Sequence, residues 1–95
     1  MVKALKIKHM NIYTDFKDNA YVIHNTRHDF NDAHTHIKNL STAKYIAHLA
    51  VYKKLPKKGH LSEYLIISLI RISDDNNYIR QLNELRDKLY HKNAA

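Results

Sequence analysis

The sequence predicts a mainly α-helical protein with a short β segment near its N-terminus. Three observations carry that expectation. Apolar and polar residues alternate only before residue 26, whereas later apolar residues recur at spacings of three and four. A single glycine and a single proline argue against a turn-rich all-β barrel. Pro56 and Gly59 fall between two helical stripes rather than inside one.

Residues 1–19 read as a basic N-terminal arm or strand, in which Leu5 and Ile7 alternate with Lys6 and Lys8. Asp15-Phe16-Lys17-Asp18-Asn19 reads as a turn. Ala20-Tyr21-Val22-Ile23-His24-Asn25 is the best strand, because Tyr, Val and Ile favour the pleat and turn residues bound it. Thr26 then caps a helix starting at Arg27, with Phe30, Ala33, His34 and Ile37 on one face. Asn39-Leu40-Ser41 breaks it, and Ser41 or Thr42 caps the next helix. That helix carries Ala43, Ile46, Ala47, Ala50 and Val51, widened by Tyr45 and Leu49. Residues 20–53 thus form a strand–helix–helix unit.

Residues 60–92 form a C-terminal helical region. Ser62 opens it, and Leu65-Ile66-Ile67-Ser68-Leu69-Ile70 is apolar on most sides. Ser73-Asp74-Asp75 caps a fresh helix with Ile79, Leu82, Leu85 and Leu89 in its stripe, although one kinked helix fits the same stripe. A helix as apolar as 65–70 needs more cover than a chain of 95 residues supplies, so a homodimer is expected.

Sixteen Lys+Arg against nine Asp+Glu give a net charge of +7. The excess lies in two places, Lys3, Lys6, Lys8 and Lys17 near the start, and Lys53, Lys54, Lys57 and Lys58 before Gly59. A localised basic patch is the footprint of a phosphate backbone. Zero cysteines excludes a disulfide scaffold, a Cys zinc finger and a thiol nucleophile. One glycine excludes a glycine-rich phosphate loop. No apolar run approaches the roughly 20 residues of a membrane span, and the N-terminus has no secretory apolar core. A soluble cytoplasmic protein is expected.

Eight histidines invite a metal reading. His24 and His28 fall on different elements, and on a helix His34 and His36 point roughly 160° apart. A nuclease set of His28, Asp29, His34 and His36 fares no better. No metal, cofactor or enzymatic activity is expected. The tyrosines mostly recur beside apolar residues and read as packing. Tyr21 differs, because one face of its strand can point outward.

A strand followed at once by two helices resembles a ribbon-helix-helix protomer. The run Leu40-Ser41-Thr42-Ala43-Lys44-Tyr45-Ile46 resembles the second-helix start of that family. Leu69-Ile70-Arg71-Ile72-Ser73-Asp74-Asp75-Asn76-Asn77-Tyr78-Ile79 resembles the R-I-G-N-N-x-N-Q-I segment of bacterial mobilisation (MobC-type) relaxosome accessory proteins. Ser73 stands for Gly there, Asp74-Asp75 for the Asn pair, and Tyr78 for Gln. The resemblance covers about residues 20–85 and implies a ribbon-helix-helix-like protomer with added C-terminal helices.

The function it implies is that of a dimeric accessory protein on plasmid or mobile-element DNA. Two paired strands would enter the major groove of duplex DNA. Tyr21, Ile23 and Asn25 form one outward set and Ala20, Val22 and His24 the other. The first is favoured, because the Asn25 amide matches adenine. Ser41 and Thr42 would clamp a phosphate at the second helix's N-terminus. Lys53, Lys54, Lys57 and Lys58 would add sequence-independent affinity, and a relaxase is a further partner. The rival reading is a phage or mobile-element protein that binds and inhibits a host or defence protein.

Overall fold

The computed structural model describes residues 2–90. The chain is an α+β protein, and this corrects the mainly helical expectation. A four-stranded antiparallel sheet, ordered β1-β2-β3-β4, comes first: β1 (Val2–Ile7), β2 (Met10–Asp15), β3 (Ala20–Asn25) and β4 (His34–Ile37). Three helices follow, α1 (Leu40–Tyr52), α2 (Glu63–Ile72) and α3 (Asn76–Tyr90).

The first hairpin turns at Lys8-His9, with Lys8 in the left-handed region at φ 54°. Opposite it, Thr26 is tied in by two bonds. Its backbone N–H and its Oγ1 both donate to the His9 carbonyl at 2.8 Å. Thr26 therefore anchors a strand end and caps no helix.

The chain forms no α-helix from Arg27. A single 3-10 turn, Phe30–Asp32, leads into β4 instead. The apolar spacing that suggested a helix also fits a strand, because Thr35 and Ile37 alternate with His34 and His36. Asn, Asp, His and Thr are poor helix formers, so propensity does not oppose the strand. Pairing decides it. β4 fills the second edge of β3 with Tyr21 opposite Ile37 and Ile23 opposite Thr35. β3 is consequently an interior strand, and a ribbon-helix-helix dimer, which needs its edge free, does not fit.

The helices cover one face of the sheet. Met10, Ile12, Ile23 and Ile37 meet Ala43, Ile46 and Ala47 of α1, Ile66, Leu69 and Ile72 of α2, and Tyr78 and Leu82 of α3 in one core. α2 lies between α1, α3 and β4. Leu65, Ile66 and Leu69 are buried within one chain. The apolarity of α2 is therefore satisfied without a second copy and gives no ground for a dimer.

Helix limits follow their caps. Asn39, not Ser41 or Thr42, caps α1 by accepting from the Thr42 N–H at 3.2 Å. Lys53 ends α1 in the left-handed region and returns its N–H to the Leu49 carbonyl. Ser62 caps α2, accepting from the Leu65 N–H at 3.1 Å. Asp75 accepts from the Tyr78 N–H at 2.9 Å, so α2 and α3 are separate helices.

Candidate functional site

Polar residues gather in three places. The first lies where the end of β3 meets the α2–α3 junction. Asn25 is fully buried, and its Nδ2 donates to the Ile72 carbonyl at 2.9 Å and to Asp74 at 3.2 Å. Its Oδ1 accepts from the Arg27 N–H at 3.0 Å. His28 Nε2 lies 3.0 Å from Asp74, and Arg27 lies 3.9 Å away.

Burial pushes the Asp74 carboxyl up, but the hydrogen bonds from His28 and Asn25 and the Arg27 charge outweigh it. The net result lies below the usual carboxylate range. Lys53 pairs with Asp75 at 3.1 Å. The accompanying cavity of about 110 Å³ is lined also by His9 and Tyr78. Burial, then the Arg27 charge, lowers the His9 imidazole below its ordinary value. Cations and carboxylates here answer one another, which is the pattern of a fold-holding network.

The second place is a groove of about 430 Å³ where the first turns of α1 and α2 meet. Ser41, Thr42, Tyr45, His60, Ser62 and Leu65 line it. The Tyr45 hydroxyl accepts from the Lys57 N–H at 3.0 Å, and its ring lies 5.5 Å from that of His60. This pins the Lys58–His60 turn against α1. Lys57 and Lys58 are exposed and have no ion-pair partner among the described residues. No carboxylate among the described residues lines the groove. Hydroxyls, helix N-termini and unpaired lysines together suit an anion.

The third place is the sheet face turned away from the helices. Cross-strand pairing sets Lys6, Asn11, His24 and His34 in one row and Lys3, Tyr13, Val22 and His36 in the next. Phe30 stacks on His34 with centroids 4.3 Å apart and meets His24 edge-on at 5.4 Å. His24 Nε2 donates to the His28 carbonyl at 2.8 Å, and His34 Nδ1 to the Phe30 carbonyl at 2.6 Å. At the far end of this face, donor atoms of Asp15, Asp18 and His36 lie within 4.8 Å of one another.

The residues expected to touch DNA are thus scattered. Tyr21 packs half-buried against the core, Ile23 is inside it, and Asn25 is fixed in the first network, so none forms an outward reading row. Ser41 and Thr42 share the groove wall with His60, whose turn includes Lys58. Lys53 is already paired. The Lys54 carbonyl accepts from the Tyr78 hydroxyl at 2.7 Å, while its side chain is exposed.

Sequence reasoning does not mark Asp15, Asp18, Tyr45 or His60 as site residues. For the first two the available signal is a pair of aspartates three apart across a turn. For Tyr45 and His60 there is none, since their meeting depends on how the 53–61 loop folds back. No family model, curated protein or solved structure matches the chain.

Proposed function

We propose that this protein binds duplex DNA through its sugar–phosphate backbone, as a binding protein rather than an enzyme. One observation carries the reading. Ser41, Thr42 and His60 line a groove with no described carboxylate at two helix N-termini, and the exposed Lys57 and Lys58 lie in the turn leading to His60. Lysines supply the long-range attraction, while hydroxyls and helix ends hold individual phosphate oxygens. With Tyr21, Ile23 and Asn25 turned inward, the contacts proposed are to the backbone and not to base edges. The setting proposed is the one implied by the resemblance, an accessory role on plasmid or mobile-element DNA.

The test is fluorescence anisotropy against a random-sequence duplex over a salt series. Binding should weaken steeply with salt. Lys57→Ala with Lys58→Ala should flatten the log–log slope by about 0.9 for each phosphate no longer neutralised. Absence of binding at low salt, or an unchanged slope in the double variant, rejects the reading.

The rival, capture of a host or defence protein, is favoured by a different observation. Val2 is 62% and Phe16 78% exposed. Val2 opposes Thr14 in the register, which puts both residues at one end of the sheet beside the outer edge of β1. Phe16→Ser should leave DNA binding unchanged and abolish capture of such a partner.

A further inference from the structure

We infer that Asp15, Asp18 and His36 form a site for one divalent transition-metal ion, with Zn²⁺ the best fit. The three donors come from three segments: the end of β2, the turn after it, and β4. The pleat sets this arrangement. His36 stands on the outer face because Thr35 and Ile37 are buried on the other. The β2–β3 turn brings Asp18 back beside Asp15, whose carboxylate accepts from the Asp18 N–H at 3.4 Å.

Donor atoms mutually within 4.8 Å can converge on a common ion, since tetrahedral ligands at about 2.0–2.2 Å from a centre lie about 3.3–3.6 Å apart and side-chain rotation covers the difference. Apart from the Asp18 N–H that Asp15 accepts, the donor side chains have no hydrogen bond among the described residues. Among the described residues neither carboxylate has an ion-pair partner, whereas Glu63, Asp74, Asp75 and Glu84 each have one. His24, His28 and His34 each have a ring nitrogen in a hydrogen bond, but among the described residues no such bond involves the His36 ring.

The Tyr64 hydroxyl donates to the His36 carbonyl, which fixes the strand that carries the imidazole. Ala20 stands opposite Asp15 in the register, and with Asp18 and His36 it lines a cavity of about 400 Å³. Its methyl leaves open the space a larger side chain would fill.

The ligand chemistry selects the ion. Ca²⁺ and Mg²⁺ take oxygen donors, whereas an imidazole beside two carboxylates suits a borderline ion such as Zn²⁺. Three protein donors would leave a fourth tetrahedral position for water.

The experiment is calorimetric titration of the full chain with ZnCl₂ in a non-chelating buffer, repeated with MgCl₂. One equivalent of Zn²⁺ should bind. His36→Ala, Asp15→Asn and Asp18→Asn should each weaken it by at least about ten-fold, while His24→Gln on the same face and His48→Gln on α1 should not. Unchanged circular dichroism and melting temperature without metal would show that the variants still fold. Zn²⁺ should then raise the melting temperature of the parent but not of His36→Ala. Three outcomes overturn the site: no Zn²⁺ binding, equal losses for His24→Gln and His36→Ala, or Mg²⁺ binding as tight as Zn²⁺ and indifferent to His36→Ala.

Discussion

Helix α1 has a polar region at each end, and the two differ in how their charges are answered. At the C-terminal end, Lys53, Arg27 and His28 face Asp74 and Asp75, with Asn25 joined to the same network. At the N-terminal end, Ser41, Thr42, Tyr45 and His60 surround a groove lined by no described carboxylate. Lys57 and Lys58 beside it stay unpaired among the described residues. Similar residue types therefore serve different ends. One network of paired charges holds the sheet to the α2–α3 junction, whereas at the other end the Ser41, Tyr45 and Ser62 hydroxyls are tied into helix caps and a turn and the lysines carry no ion pair among the described residues.

The largest effect is expected at Asn25. Asn25→Ala removes the donor to the Ile72 carbonyl at a buried site and the acceptor for the Arg27 N–H in a half-buried one. Unpaired buried polar groups cost about 1–3 kcal/mol each, so the loss should be about 3 kcal/mol by urea unfolding. Affinity for DNA, measured where the variant is still folded, should stay unchanged. A loss of binding without a loss of stability would return Asn25 to the role of base reader.

Asp74 tests the same end of α1 through pH. Its folded-state pKa is depressed, so its stabilisation is present above the ordinary value of 3.8 and is lost as pH falls through the lower folded value. His9 acts with the same sign from a higher starting point. Its lowered pKa means that stability begins to fall as pH drops below 6.5, where the unfolded chain takes up the proton first. Asp74→Asn should cost less than Asn25→Ala at neutral pH and should flatten the acid limb below 3.8. An acid limb identical to the parent's would show that Asp74 is not coupled to folding.

Tyr78 joins the two regions. Its ring is buried in the core, and its hydroxyl holds the Lys54 carbonyl at the root of the lysine loop. Burial, with Tyr45 near, pushes this phenol well above its ordinary range. Tyr78→Phe keeps the packing and loses one hydrogen bond, at about 1 kcal/mol. It should also weaken DNA binding slightly by loosening the loop. A stability change with no change in affinity would mean that Lys57 and Lys58 are held by Tyr45 alone.

Much of this division was legible in the sequence, for identifiable reasons. β3 occupies the residues that strand propensity and flanking turn residues marked, and the three long helices fall where apolar stripes, Ser62 and Asp75 placed them. The sheet was missed because residues 2–15, read as one arm or strand, form two paired strands, whose stability comes from pairing across the chain rather than from local preference. Lys8-His9 turns without a glycine or Asn-Gly signal. Residues 34–37 satisfy helix and strand spacing alike.

The site divided in the same way. The start of α1 near Ser41 and Thr42 and the charge run of Lys57 and Lys58 were legible because both are local features. Tyr21, Ile23 and Asn25 were given the wrong face, because alternation separates two faces of a strand without saying which is covered. His34 and His36 were set apart on a helix, yet on β4 they share a face with rings 5.3 Å apart.

The smallest expected effect on folding is the most informative about the groove. Lys53 and the pair Lys57 and Lys58 belong to one sequence run but to different regions of the structure. Lys53→Ala breaks an exposed pair with Asp75, while Lys57→Ala with Lys58→Ala breaks no ion pair among the described residues. Each variant should change folding stability by no more than about 0.5 kcal/mol. Their effects on DNA should diverge. Removing Lys57 and Lys58 lowers the salt slope, whereas removing Lys53 leaves it unchanged, because a lysine already neutralised by a carboxylate releases few counterions. A slope lowered equally by all three lysines would mean that the run acts as a diffuse charge, with no special place for the groove. A slope lowered by Lys53→Ala alone would move the DNA contact to the opposite end of α1.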